Sequence, residues 1–189
     1  MRNNLSQKLN NNRRNSRTPG ATIRGLVVAL VALAFTGIAS AQDDGELKFK
    51  GGIGVIPVTG VAANGTVNLN VVRGVNPAGP WRIADLVAFV ESNGHIRVRG
   101  RGLLLAAGNG IGTNAGASVH ATLFCGPATA ATAFDEAGVP LAPNGDFSID
   151  DFLTGGPLPS PCENPVLLIR SGAVPGQGVW FAAGIPKLD

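Results

Sequence analysis

Three Asn-Gly pairs, Asn64-Gly65, Asn93-Gly94 and Asn144-Gly145, each fall between short apolar runs. Asn-Gly supplies the positive φ angles of a tight hairpin turn, so this punctuation constrains the chain to antiparallel strands. After the first pair, Val67, Leu69 and Val71 alternate with Thr66, Asn68 and Asn70. A period of two marks a strand with one buried and one wet face. The second pair separates residues 81–91 from 95–105. After the third, Phe147 and Ile149 alternate with Asp146, Ser148 and Asp150. Runs at 47–50, 53–61, 119–124, 166–170 and 179–183 bring the total to about nine short strands.

Helical signals are thin. Ile83, Leu86, Val87 and Val90 fit a 3.6-residue period. The Asn-Gly pair and the alternating run that follow favour a strand there. The Ala-rich stretch 129–134 is too short to stand as a helix without support. A lone sheet cannot cover both of its faces, so the expected fold is all-β, an antiparallel sandwich or small barrel.

Charge divides the chain. It carries 15 Lys and Arg against 12 Asp and Glu, a net of +3. Residues 1–41 hold Arg2, Lys8, Arg13, Arg14, Arg17 and Arg24 and no acid, so residues 42–189 carry a net charge of −3. The polar basic stretch 1–24 is followed by the uncharged run 25–38 and by Ala39-Ser40-Ala41. That order is the n-region, h-region and small-residue site of a secretory signal peptide. Cleavage near Ala41 would leave one domain, 42–189, in a secreted or periplasmic location with no stable membrane anchor. The alternatives are an uncleaved anchor and twin-arginine export at Arg13-Arg14. The first has only 18 uncharged residues, 25–42, and the second lacks the usual apolar pair after the arginines. Loss of the basic leader removes the electrostatic motive for a nucleic-acid partner.

The two cysteines, Cys125 and Cys162, have no third to compete with them. In an exported chain they read as one disulfide.

Candidate sites are few. His95, Arg97, Arg99 and Arg101 alternate with Ile96 and Val98, which places four cationic side chains on one strand face. Such a strip suits phosphate, sulfate or an acidic polymer of the cell envelope. The alternative is a wet strand face whose arginines pair locally and discourage edge pairing. Asp146, Asp150 and Asp151 follow a turn and form a candidate calcium site, without the spacing of an EF-hand. No other cofactor is expected.

The Gly-rich loop 106–118 contains Gly110-Ile111-Gly112-Thr113-Asn114-Ala115, the letters of a dinucleotide fingerprint, but no helix or crossover unit surrounds it. Ser118 and His120 share a strand face about 7 Å apart, too far for a nucleophile and its base. Trp81 and Trp180 read as core, and Asn64-Gly65-Thr66 as a turn rather than a glycosylation acceptor.

No catalytic residue can be assigned. The first functional expectation is therefore an exported, non-enzymatic β domain: an envelope, matrix or ligand-binding module. The alternatives are an extracellular, carboxylate-based hydrolase whose site is scattered along the chain, and a calcium-binding surface module.

Overall fold

The structure is a computed structural model that describes residues 46–57, 60–61, 67–68 and 70–187, with side chains omitted at 60–61 and 67–68. The leader 1–41, the turn at Asn64-Gly65 and the acceptor triplet at 64–66 lie outside the described residues.

The strands in chain order are β1 (Leu47–Gly54), β2 (Gly60–Val61), β3 (Val67–Asn68), β4 (Trp81–Arg82), β5 (Asp85–Val90), β6 (His95–Arg101), β7 (Leu104–Leu105), β8 (Ser118–Cys125), β9 (Thr132–Asp135), β10 (Val139–Pro140), β11 (Phe147–Phe152), β12 (Val166–Ser171) and β13 (Trp180–Pro186). The described residues contain no helix, and all strand pairs are antiparallel. Residues 85–90, where two periodicities competed, are strand.

Nine strands form one sheet in the order β10-β8-β12-β13-β1-β5-β6-β11, with β9 beside β10 on the outer edge of β8. The sheet curls into a half-barrel. Its edges touch where Asp135 of β9 and Thr154, just past β11, exchange two backbone hydrogen bonds of 3.2 and 2.7 Å. Of the two closures that the pattern permits, this is the barrel-like one. It leaves less unpaired edge than an open sheet of the same length.

The concave face is the core. Phe49, Ala88, Val98 and Ile149 form one directly paired buried row across β1, β5, β6 and β11. Ala182, Ile169 and Ala121 form another across β13, β12 and β8. One inward position holds Gly100, directly opposite Phe147. A Cβ there would overlap the Phe147 ring, so the ring fills the space that the glycine leaves. The convex face is partly covered too. Residues 70–80 cross it, with Asn76 and Ala78 bonded to the backbone of Trp180 at 3.0 Å. Trp81 stacks on Phe181 with ring centroids 4.1 Å apart, and both tryptophans are buried as core residues.

The turn chemistry departs from the two-residue hairpins expected of Asn-Gly. At 93–94 and 144–145 only the glycine has positive φ, 89° for Gly94 and 80° for Gly145. Each pair ends a three-residue loop closed by Glu91 N to His95 O, or Ala142 N to Asp146 O, both 2.9 Å. The asparagine instead caps the turn: Asn93 Oδ1 accepts from His95 N at 2.7 Å and Asn144 Oδ1 from Asp146 N at 3.1 Å. A two-residue turn with both residues at positive φ occurs at Arg73-Gly74, at 52° and 79°, between the paired Val72 and Val75.

Cys125 and Cys162 form a disulfide with a Cα–Cα distance of 5.0 Å. It ties the long segment after β11 to the end of β8, and it is in keeping with an oxidising compartment.

Candidate functional site

Strand β6 has a strict alternation. Ile96, Val98 and Gly100 are buried, while Arg97, Arg99 and Arg101 are exposed and His95 is half-buried. The four predicted side chains therefore share the convex face. Direct cross-strand pairing sets Val87 opposite Arg99, Phe89 opposite Arg97 and Asp85 opposite Arg101. On the other flank, Ser148, Asp150 and Phe152 lie opposite Arg99, Arg97 and His95.

The strip is not electrically uniform. His95 lies between two carboxylates, with Nε2 2.6 Å from Asp150 Oδ1 and Nδ1 3.3 Å from Glu91 Oε1. The Asp150 contact first, and the Glu91 contact after it, push the imidazole pKa above its ordinary value, since each accepts a proton that the imidazolium donates. Arg97 Nη2 donates to the same Glu91 Oε1 at 2.9 Å. The His95 end of the strip is thus neutralised locally. Toward the other end, the Arg99 and Arg101 guanidinium groups have no acceptor or ion-pair partner among the described residues. Arg97, Arg99 and Arg101 line an open cleft of about 520 Å³ whose other walls are Glu46, Asp85, Val87 and Phe89. Val87 and Phe89 are half-buried, so the cleft has an apolar floor under a cationic rim.

The three acids proposed for calcium are not brought together as one set. Asp146 is used inside its turn, with Oδ1 accepting from Gly102 N at 3.0 Å and Oδ2 from Asn144 Nδ2 at 2.9 Å. Asp150 faces His95, and Asp151, its neighbour in β11, points to the opposite side of the strand. No group of three potential metal ligands occurs among the described residues.

A second polar group, which the sequence reading did not assemble, lies behind β8 and β12. His120 and Thr122 on β8 are fully buried, and Arg170, directly opposite His120 on β12, is 6% exposed. Asp135 arrives from β9, opposite Thr122. Thr122 Oγ1 donates to Asp135 Oδ1, and Arg170 Nη1 lies 3.3 Å from Thr122 Oγ1 and 3.7 Å from that carboxylate oxygen. Arg170 Nη2 donates to the carbonyls of Gly176 and Gly178, both at 3.0 Å. His120 Nδ1 donates to the Gly172 carbonyl at 3.0 Å. Burial, more than the nearby Arg170, depresses the His120 pKa below its ordinary value. The polar residues standing in the buried runs SVHATLFC and VLLIR were the signal that these two strands share a polar patch.

Glu136, between β9 and β10, is wholly buried. Its Oε1 accepts from Ala121 N at 2.6 Å, and its Oε2 has no partner. Burial pushes its pKa up to about 7, although the Ala121 bond opposes the rise. Glu136 is not among the residues that line the cleft at Arg97, Arg99 and Arg101.

No protein-family model matches the chain, and no curated protein or solved structure is significantly similar to it.

Proposed function

We propose that this chain is an exported, non-catalytic binding domain that uses the Arg97–Arg99–Arg101 face to hold an acidic polymer of the cell envelope or extracellular matrix. One observation carries the reading: among the described residues Arg99 and Arg101 have no ion-pair partner, and they stand beside Glu46 and Asp85 over the apolar floor of Val87 and Phe89. β6 is paired on both sides, by β5 and β11, so its arginines are not needed to repel pairing at a sheet edge. Unpaired guanidiniums accept carboxylate or sulfate groups through paired N–H bonds. Two half-buried apolar residues between the strands give a sugar ring or an aliphatic stretch of the polymer something to lie on. The disulfide and the basic–apolar–small order of residues 1–41 support an export route, on which an acidic polymer outside the membrane is the accessible partner.

The test is binding to polygalacturonate, with uncharged dextran as the control, read by calorimetry at low and moderate salt. The wild-type chain binds polygalacturonate, and its affinity falls as salt rises. The Arg99→Ala/Arg101→Ala variant melts as wild type does and binds about tenfold more weakly or worse. Equal binding by the two proteins, or no binding by either, refutes the reading.

A further inference from the structure

Strand pairing lays the convex face around the cleft out in three rows that cross the strands. The first sets Lys48, Phe89 and Arg97 side by side on β1, β5 and β6, with Asp150 of β11 next to Arg97. Acids occupy that row. Glu46 pairs with Lys48 at 3.5 Å, Glu91 with Arg97 at 2.9 Å, and Asp150 bonds His95 at 2.6 Å. The third row sets Asp85 opposite Arg101. Of the three, the middle row alone carries no acid. It runs Lys50, Val87, Arg99 and Ser148, each directly paired with the next across β1, β5, β6 and β11. Lys50, Arg99 and Ser148 are exposed, and Val87 is half-buried. Neither Lys50 nor Arg99 has an ion-pair partner among the described residues. Lys50 is far from Arg99 in sequence, and only the pairing of β5 with both strands sets the two in line.

Spacing defines what fits the row. Adjacent strands lie about 4.8 Å apart, so the backbones at Lys50 and Arg99, separated by β5, stand about 10 Å apart. Along β6 the step from Arg99 to Arg101 is instead about 7 Å. One ring of a linked sugar chain covers roughly one strand spacing. A polysaccharide laid across the strands therefore sets one ring on each. In order from β11, its rings meet a hydroxyl, a cation, an apolar side chain and a cation. The two cations take carboxylate or sulfate. Val87 offers the ring above it an apolar contact and no charge, so an acid on that ring loses water without gaining a partner. A chain laid along β6 is met by acids at both ends, by Asp85 beside Arg101 and by Glu91 and Asp150 around Arg97.

From this geometry we infer that the polymer crosses the strands along the Ser148–Arg99–Val87–Lys50 row, and that it is an acidic polysaccharide with an acid group on every second sugar. The inference rests on the polymer-binding reading of this face. It adds Lys50 as a second anchoring cation and fixes the spacing of the acid groups.

The probe is a hyaluronate tetrasaccharide, whose two carboxylates flank an uncharged sugar, titrated into the full chain by calorimetry at moderate salt. Trigalacturonate, with a carboxylate on each of its three sugars, is the comparison. Wild type binds the tetrasaccharide more tightly, although trigalacturonate carries one more charge. Lys50→Gln and Arg99→Ala each weaken the tetrasaccharide about tenfold and melt as wild type does, since both side chains are exposed. Arg101→Ala, and Arg82→Gln at an exposed cation of β4 outside the row, each weaken it by less than about threefold. The inference is overturned if Lys50→Gln binds the tetrasaccharide as wild type does, or if Arg101→Ala weakens it as much as Arg99→Ala. It is also overturned if wild type binds the tetrasaccharide no better than trigalacturonate. Any of these leaves the broader reading standing so long as polygalacturonate binds and Arg99→Ala/Arg101→Ala weakens it. Failure of wild type to bind polygalacturonate refutes both.

Discussion

Replacing Glu136 with Gln should change how the stability of this protein depends on pH. The carboxyl group is fully buried, one oxygen is bonded to the Ala121 amide at 2.6 Å, and the other has no donor. Its pKa is pushed from 4.5 to about 7. The folded state therefore holds the proton over a window in which the unfolded chain has released it. Between pH 4.5 and 7 the native state binds more protons, so stability falls as pH rises, and it levels off above 7. A shift of this size corresponds to roughly 3 kcal/mol, most of which is lost between pH 5 and pH 8. Glu136→Gln keeps an oxygen acceptor for the Ala121 amide and removes the ionisation.

The assay is urea denaturation of both proteins at pH 5 and pH 8. Two histidines also titrate near this range, with opposite signs. His95, raised by its carboxylate partners, adds stability that is lost as pH rises through its folded pKa. His120, depressed by burial, adds stability that is lost as pH falls through the same region. Both are common to the two proteins and cancel in the difference between them. The expected result is that Glu136→Gln gains on wild type by about 2 kcal/mol or more on going from pH 5 to pH 8. An unchanged difference between the proteins at the two pH values would refute the reasoning, because it would mean that Glu136 is solvated in the folded chain.

Two further outcomes follow from the fold. Removing the Cys125–Cys162 bridge by paired Ser substitution releases a long loop in the unfolded chain and lowers stability by up to about 4 kcal/mol, seen as a lower Tm with the β-sheet circular dichroism retained; an unchanged Tm would show that the loop is held by its other contacts. Gly94→Val, at φ 89° in the β5–β6 loop, costs about 1–3 kcal/mol by denaturation, whereas Gly94→Asn costs less because asparagine tolerates positive φ. Equal losses in the two variants would point to packing rather than backbone conformation.

The strands were legible because each side chain's environment is set by a period of two. The sequence HIRVRGR reads out its own faces, and the structure places each of the four predicted cations where alternation requires. Residues 83–90 satisfied two periods at once, and pairing of β5 with both β1 and β6 decided between them. The two Asn-Gly turns among the described residues, at 93–94 and 144–145, were located correctly and typed incorrectly. Asn-Gly suits both the two-residue and the three-residue loop, and the choice depends on the register of strands that meet across the turn. The turn at Arg73-Gly74 was unreadable for the converse reason: an arginine at positive φ is a poor local choice, held there by the Val72–Val75 pair and the bond from Arg73 to Asn164.

The buried polar group shows where local reasoning ends. His120, Thr122, Asp135 and Arg170 meet because β9 and β12 flank β8 on its two sides, so residues up to 50 apart in sequence stand in one cross-strand neighbourhood. Each has an ordinary local explanation. Asp135 follows an Ala-rich run, Arg170 ends a strand, and His120 alternates with valine and alanine. Only the pairing order converts them into a network, and only the strap of residues 70–80 converts the face above it into a cavity. The convex face of such a sheet would ordinarily be solvated, and Arg170 would then need no partners. Covering it obliges the chain to supply the Gly176 and Gly178 carbonyls, Thr122 and Asp135 to one guanidinium, and still leaves Nε without an acceptor. An apolar pair of similar volume would have closed the same surface without that cost. Retention of the arginine under a cover that leaves a cavity beside it is thus the feature that packing alone does not account for.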